Sequence, residues 1–122
     1  MAGRSILLVD DDTDFLDMLE VRLSRNGYKV LRAIDGIQGT EIAKKAKPDL
    51  IIMDILMPGK DGIQMGADLL SSFDTMLIPV VVVTALDDAE TKAKARKLGA
   101  AAFFTKPFDE NKLMSTIKRL IG

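Results

Sequence analysis

Short apolar runs alternate along the chain with longer segments in which apolar residues recur at helical spacing. Runs of about four aliphatic or β-branched residues between turn formers are typical of strands buried on both faces. Four such runs each end at a polar side chain: Ile6–Val9 at Asp10, Leu50–Met53 at Asp54, Val80–Val83 at Thr84, and Ala102–Thr105 at Lys106. A fifth run, Tyr28–Ala33, contains Lys29 and Arg32 and is predicted to be an edge strand.

Five helices are predicted between and after these strands. Side chains that cap helices, and glycine or proline at the ends, mark their limits. The predicted helices run from Asp12 or Thr13 to about Asn26, from Asp35–Gly36 to about Lys47, from Ile63 to Phe73, from Asp87–Asp88 to Lys97, and from Asp109 onward. Their predicted inward faces carry Leu16, Leu19 and Leu23; Ile63, Ala67 and Leu70; and Leu113, Ile117 and Leu120 or Ile121.

A strand followed by a helix, repeated five times, indicates an α/β fold with a doubly wound parallel sheet and right-handed crossovers. The 122 residues correspond to one domain, predicted to span residues 1–122. In an open parallel sheet, sites form outside the carboxyl ends of the strands, near the switch in strand order. We therefore expect the carboxylates, the hydroxyl and the amine at the four strand ends to converge.

The amino-acid composition limits the kinds of site that the chain can form. The chain has no cysteine, histidine or tryptophan, which excludes disulfides, thiolate metal sites and a histidine base. A reactive phosphoryl group on nitrogen would therefore come from another molecule. The formal charge of −1 argues against direct nucleic-acid binding. The start of the chain resembles neither a signal peptide nor a membrane span, so we expect a cytoplasmic protein without a membrane partner.

Asp10, Asp11 and Asp54 follow two strands that can be neighbours in the sheet. Each carboxylate in such a cluster raises the proton affinity of the others, and a hard divalent cation relieves the repulsion. An all-oxygen site suits Mg²⁺. The alternative is that acidic residues after a strand only cap helices, and this is the favoured interpretation for Asp12, Thr13 and Asp88.

An ordered set of short motifs resembles the receiver domain of bacterial two-component response regulators. The motifs are Val9–Asp11; Met53–Asp54 with Met57–Pro58–Gly59 and Asp61–Gly62; Val83–Ala85; and Thr105–Phe108. The resemblance covers about residues 4–121. It implies a flavodoxin-like sheet with strand order 2-1-3-4-5.

The resemblance implies a role for each matching residue. Asp54 would be the phosphoacceptor, taking a phosphoryl group from a sensor histidine kinase, a phosphotransfer protein or a small acyl phosphate. Asp11, Asp54 and the Leu56 backbone carbonyl would bind Mg²⁺ directly, and Asp10 partly through water. Thr84 and Lys106, with the Ala85 amide, would hold phosphoryl oxygens. The Lys106–Pro107 bond would be cis.

The resemblance also implies a switch in partner binding. On phosphorylation, Thr84 would move toward the phosphoryl oxygens and Phe103 would turn inward, which alters the surface of the fourth helix, fifth strand and fifth helix. The alternative is that Phe103 is only a core residue. The basic residues of the fourth helix are either a solvated face or a docking surface for an acidic partner: Lys92, Lys94, Arg96 and Lys97.

Two groups of positions depart from the family pattern. Transcription-factor receivers carry charged residues that pair across a dimer, where this chain has Ala101, Ala102, Lys112 and Thr116. We therefore expect a monomer. Leu56 and Leu86 occupy positions that tune the lifetime of the phosphoryl group, and neither side chain can orient an attacking water. We therefore expect slow self-dephosphorylation.

Three classes of function are compatible with these features to different degrees. The favoured interpretation is a single-domain receiver that catalyses only its own phosphorylation and dephosphorylation, with a downstream protein target that the sequence does not name. The second is a receiver excised from a longer regulator such as a cyclic-dinucleotide synthase, suggested by the stretch from Val83 to Asp88. The third is an enzyme, either an aspartate-nucleophile phosphatase or a flavin-binding flavodoxin relative. Three successive acidic residues after the first strand disfavour a phosphate-binding loop there, and no glycine-rich phosphate motif is present.

Overall fold

The computed structural model describes residues 3–57 and 61–122. The motif residues Pro58 and Gly59 lie outside the described residues. Five strands alternate with five helices: β1 (Ser5–Val9), α1 (Thr13–Arg25), β2 (Lys29–Ala33), α2 (Gly36–Ala46), β3 (Leu50–Met53), α3 (Gly62–Leu70), β4 (Val80–Thr84), α4 (Ala89–Lys97), β5 (Ala102–Thr105) and α5 (Glu110–Ile121).

The strands form one parallel sheet in the order β2-β1-β3-β4-β5, which confirms the predicted fold and the edge position of β2. β3 is buried along its whole length, as its continuous apolar run predicts. Alternate residues of the central strands point to opposite faces. Ile6 and Leu8 pack on the side covered by α1 and α5, whereas Leu7 and Val9 pack on the side covered by α2, α3 and α4. The sheet is therefore doubly wound.

Side-chain caps define where the helices begin. Asp12 accepts a hydrogen bond from the Phe15 amide, and Asp88 accepts one from the Thr91 amide. The capping interpretation is thus correct for Asp12 and Asp88, whereas Thr13 is the first residue of α1 rather than its cap. Among the described residues, no helix is long and apolar enough to cross a membrane.

The predicted inward face of α3 is correct for Ile63, which is half-buried and packs against the core, and wrong for Ala67 and Leu70. Met65, Gly66 and Leu69 are buried, whereas Ala67 is exposed and Leu70 is 46% exposed. The cause is the sequence of α3, which is apolar on most of its circumference, so that spacing alone does not select a face. Close approach selects it instead, because a Cβ atom on Gly66 would lie 2.6 Å from Leu98 Cδ1. The helix also ends at Leu70 rather than at Phe73.

Candidate functional site

Backbone hydrogen bonds fix the residues that directly follow β1, β3 and β5. The Asp10 amide donates to the Ala33 carbonyl oxygen at 3.1 Å, and the Asp54 amide donates to the Val9 carbonyl oxygen at 3.0 Å. The Lys106 amide donates to the carbonyl oxygen of Thr84, the last residue of β4, at 2.8 Å. These bonds extend the parallel ladders by one residue beyond each strand. The polar side chains therefore start from a rigid sheet edge rather than from free loops.

Three carboxylates meet at this edge, as predicted. One oxygen each of Asp10, Asp11 and Asp54 lies within 4.8 Å of the other two. Asp10 is 2% exposed and Asp54 is 7% exposed, whereas Asp11 is exposed. Asp10 Oδ1 accepts a hydrogen bond from the Asp12 amide, and Asp54 Oδ1 accepts one from the Leu56 amide, both at 3.0 Å. Two of the three carboxylates are therefore held in fixed orientations.

Lys106 supplies the positive charge of the site. Its Nζ atom donates to Asp10 Oδ2 at 2.7 Å and to Asp54 Oδ2 at 3.4 Å. Burial raises the pKa of Asp10 above its usual range, and the hydrogen bond and charge of Lys106 only partly offset this effect. Burial would lower the pKa of Lys106, but its contacts with Asp10 and Asp54 outweigh burial and raise that pKa. The ammonium group thus remains charged and partly neutralises the acidic cluster.

The donor set fits magnesium. Three carboxylates with converging oxygens, of which two are nearly buried, form the hard, all-oxygen environment that this ion prefers. The Leu56 side chain is 61% exposed, and its amide already bonds to Asp54. The proposed ligand role of the Leu56 carbonyl remains a prediction.

Thr84 lies at the same sheet edge, at the end of the strand next to β3. Its side chain is fully buried, and its Oγ1 atom accepts a hydrogen bond from the Leu86 amide at 3.3 Å. Ala85 is exposed between these two residues. The peptide bond between Lys106 and Pro107 is cis.

Phe103 lies on β5, away from the carboxylates. It is half-buried, pairs in register with Val82 and lines a surface cavity of about 390 Å³ together with Lys92, Ala95 and Arg96 of α4. Among the described residues, two basic side chains of α4 lie in ion pairs with acidic neighbours. Lys92 lies 2.8 Å from Asp87, and Lys94 lies 3.3 Å from Glu90.

Sequence reasoning missed Phe15, which belongs to the site. The centroid of its ring lies 4.1 Å from Lys106 Nζ. The signal was its position in the first turn of α1, three residues after the end of the acidic run Asp10–Asp12 that follows β1. A helix that starts at this edge of the sheet must place part of its first turn beside the strand-end side chains.

Comparison with known proteins identifies the family. The model of the response regulator receiver domain matches residues 6–118. The protein PilH of Pseudomonas aeruginosa is 38% identical over 117 residues, which cover 96% of this chain and 97% of that protein.

Two solved structures have the same fold. A putative response regulator from Chloroflexus aurantiacus has a TM-score of 0.91 and 32% identity, with 98% of each chain covered. The receiver domain of a sensor histidine kinase from Pseudomonas aeruginosa, with a magnesium ion coordinated in its active site cleft, has a TM-score of 0.91 and 29% identity, with 99% of each chain covered. The chain therefore belongs to the receiver domain family of two-component response regulators, the phosphoryl-accepting signalling domains of these systems.

Proposed function

We propose that Asp54 is the phosphoacceptor and that its donor is a phosphohistidine on a sensor histidine kinase or phosphotransfer protein. The observation that carries this proposal is the position of Asp54, which lies in a cluster with Asp10 and Asp11 and 3.4 Å from the Lys106 ammonium group. In the transfer, a carboxylate oxygen of Asp54 forms a bond to phosphorus. The bond from phosphorus to the donor nitrogen breaks, and the nitrogen keeps the electron pair.

The residues around Asp54 would position the reacting groups. Asp10, Asp11, Asp54 and the Leu56 carbonyl are the groups that would hold Mg²⁺. When bound, this ion would neutralise charge on the phosphoryl oxygens. The Lys106 ammonium group and the Thr84 hydroxyl would bind phosphoryl oxygens, assisted by the Ala85 amide. Positioning and charge neutralisation supply most of the catalysis in phosphoryl transfer.

Phosphorylation would change partner binding through the surface of α4, β5 and α5. Thr84 is fully buried and fixed to the loop after β4 by its bond with Leu86, so that a shift of Thr84 would move this loop. Phe103 lies on the neighbouring strand and already lines a cavity between β5 and α4. A downstream protein would bind the rearranged surface. Replacing Phe103 by alanine should make binding of the downstream protein independent of phosphorylation.

We favour a single-domain regulator that acts as a monomer and catalyses only its own phosphorylation and dephosphorylation. The near end-to-end match with PilH supports this assignment. The alternative is a receiver taken from a longer protein, since one of the similar structures is the receiver of a sensor kinase. The length of the complete coding sequence decides between them.

Intact mass spectrometry with acetyl phosphate tests the role of Asp54. The native chain should gain one phosphoryl group, about 80 Da, when Mg²⁺ is present and should gain none when the metal is chelated. An Asp54→Asn variant should gain none under either condition. A gain by this variant equal to that of the native chain would contradict the proposal.

A further inference from the structure

The Lys106 ammonium group has contacts on three sides. Two are the carboxylates, with Asp10 Oδ2 at 2.7 Å and Asp54 Oδ2 at 3.4 Å. The third is the ring of Phe15, whose centroid lies 4.1 Å from Nζ. A cation at this distance over an aromatic face is attracted by the negative face of the ring. The side chain of Lys106 is only 20% exposed, and the Phe15 ring is one of the groups that surround it.

The orientation of Phe15 is itself fixed by packing. Its ring makes an edge contact with the Phe108 ring, with centroids 6.1 Å apart and planes at 79°. Phe108 in turn contacts Phe104, with centroids 5.7 Å apart. The Phe15 amide donates to the Asp12 side chain at 3.2 Å, which fixes the backbone at the start of α1. These contacts therefore hold the Phe15 ring in one orientation beside the acidic cluster.

We propose that Phe15 is a positioning residue for phosphoryl transfer, which holds the Lys106 ammonium group between Asp10 and Asp54 through the face of its ring. The proposal rests on the function proposed above for Asp54. Lysine has a long flexible side chain, and two carboxylates alone leave one side of its ammonium group open to water. The ring closes that side and confines Nζ to the place where a phosphoryl oxygen on Asp54 would need a donor.

Loss of the Phe15 ring would strengthen Mg²⁺ binding and slow phosphorylation. Lys106 and Mg²⁺ compete for the same carboxylates, so a less confined ammonium group would leave Asp10 more available to the metal. The same loss of confinement would slow phosphorylation, because Lys106 would be misplaced for the transferring group. A general loss of structure would instead weaken metal binding and slow phosphorylation together.

The test compares Phe15→Leu, which keeps an apolar side chain but removes the π face, with the conservative Phe15→Tyr. Phe73→Leu is the matched control, since Phe73 is 97% exposed in the loop after α3 and lies outside the aromatic cluster of Phe15, Phe104 and Phe108. Two quantities are measured for each variant: the dissociation constant for Mg²⁺ by calorimetric titration, and the rate of phosphorylation by acetyl phosphate at saturating Mg²⁺.

For Phe15→Leu, we expect Mg²⁺ binding to be about two- to fivefold tighter and phosphorylation about two- to fivefold slower, since a partly exposed cation–π contact has this magnitude. Phe15→Tyr and Phe73→Leu should remain close to the native chain in both measurements. Weaker Mg²⁺ binding in Phe15→Leu, an unchanged phosphorylation rate, or failure of tyrosine to retain native behaviour would each overturn the proposal.

Nuclear magnetic resonance separates this proposal from the function on which it rests. The Lys106 side-chain protons near the ring face should resonate upfield in the native chain, and the shift should disappear in Phe15→Leu. If the native chain takes up no phosphoryl group but the upfield shift and the change in Mg²⁺ affinity are observed, the function of Asp54 fails while the contact stands. If phosphorylation proceeds but the upfield shift is absent, the role of Phe15 is wrong.

Discussion

The Nζ atom of Lys106 lies 2.7 Å from Oδ2 of Asp10, although the two residues are 96 positions apart in the sequence. The contact joins the end of β1 to the loop after β5 across the carboxyl edge of the sheet. It places a positive charge among three carboxylates that would otherwise repel one another. The same ammonium group lies 3.4 Å from Oδ2 of the proposed phosphoacceptor Asp54, so Lys106 would both stabilise the site and compete with a metal ion for its carboxylates.

Replacing Lys106 by methionine should separate these effects. Mg²⁺ binding should tighten by roughly tenfold, or about 1.4 kcal/mol, because a competing cation is removed. Phosphorylation by acetyl phosphate should slow by about 100-fold or more, because a donor to the phosphoryl oxygens is lost. Calorimetry and intact mass spectrometry measure the two effects. Lys92→Met, which removes the ion pair between Lys92 of α4 and Asp87 in the loop before this helix, is the control and should change neither quantity. Weaker Mg²⁺ binding in Lys106→Met would contradict the idea that Lys106 and Mg²⁺ compete for the same carboxylates.

Gly62 controls the position of Asp54. A Cβ atom at this residue would lie 2.6 Å from the Asp54 carbonyl oxygen and 2.7 Å from Ile55 Cα, both backbone atoms. Gly62→Ala should therefore cost about 1–3 kcal/mol of unfolding free energy. It should also slow phosphorylation, because the end of β3 must shift.

Gly66→Ala is the matched control on the same helix. Its Cβ atom would meet only the side chain of Leu98 among its nearest neighbours, so it should lower stability and leave the phosphorylation rate unchanged. Chemical denaturation and intact mass spectrometry report the two quantities. Equal effects of Gly62→Ala and Gly66→Ala on phosphorylation would refute the proposed link between Gly62 and Asp54.

The corrected inward face of α3 has a direct consequence for stability. Met65 of α3 is fully buried, so Met65→Ala should lower the free energy of unfolding by about 2–5 kcal/mol. Leu70→Ala, at a position 46% exposed, should cost about 1 kcal/mol or less. Urea denaturation of both variants provides the comparison. If Leu70→Ala lost more unfolding free energy than Met65→Ala, the buried face of α3 would be the one predicted from spacing alone.

Leu56 should govern how long the phosphoryl group persists. Its side chain is 61% exposed beside Asp54 and offers no hydrogen-bonding atom to orient an attacking water. Leu56→Asn should accelerate self-dephosphorylation by about tenfold, since orienting the nucleophile lowers the barrier. The rate is followed by loss of the added mass after acetyl phosphate is removed. Leu77→Asn, 88% exposed just before β4, is the control and should not change the rate. An unchanged lifetime in Leu56→Asn would refute this role.

Most of the fold follows from short apolar runs and their terminating residues. The continuous runs at β1, β3 and β4 predict buried parallel strands, and Lys29 and Arg32 correctly indicate that β2 lies at an edge. The convergence of Asp10, Asp11 and Asp54 follows from the same pattern, because parallel strands bring their carboxyl ends to one side.

Other features depend on three-dimensional packing. In α3 several faces are apolar, and the close approach of Gly62 to the end of β3 and of Gly66 to Leu98 selects the buried one. The contact of Phe15 with Lys106 depends on the angle at which α1 leaves β1 and on the packing of Phe15 against Phe108. The spacing of residues predicts neither the contact of Gly66 with Leu98 nor that of Phe15 with Lys106, because each joins segments that are distant in the sequence.

The most direct test of the central claim is to locate the phosphoryl group. The chain is treated with acetyl phosphate and Mg²⁺, reduced with borohydride to convert an aspartyl phosphate to homoserine, digested, and sequenced by tandem mass spectrometry. If Asp54 is the phosphoacceptor, homoserine is expected at residue 54 alone, and none is expected when the metal is chelated. Homoserine at Asp10 or Asp11 with an unmodified Asp54 would contradict it.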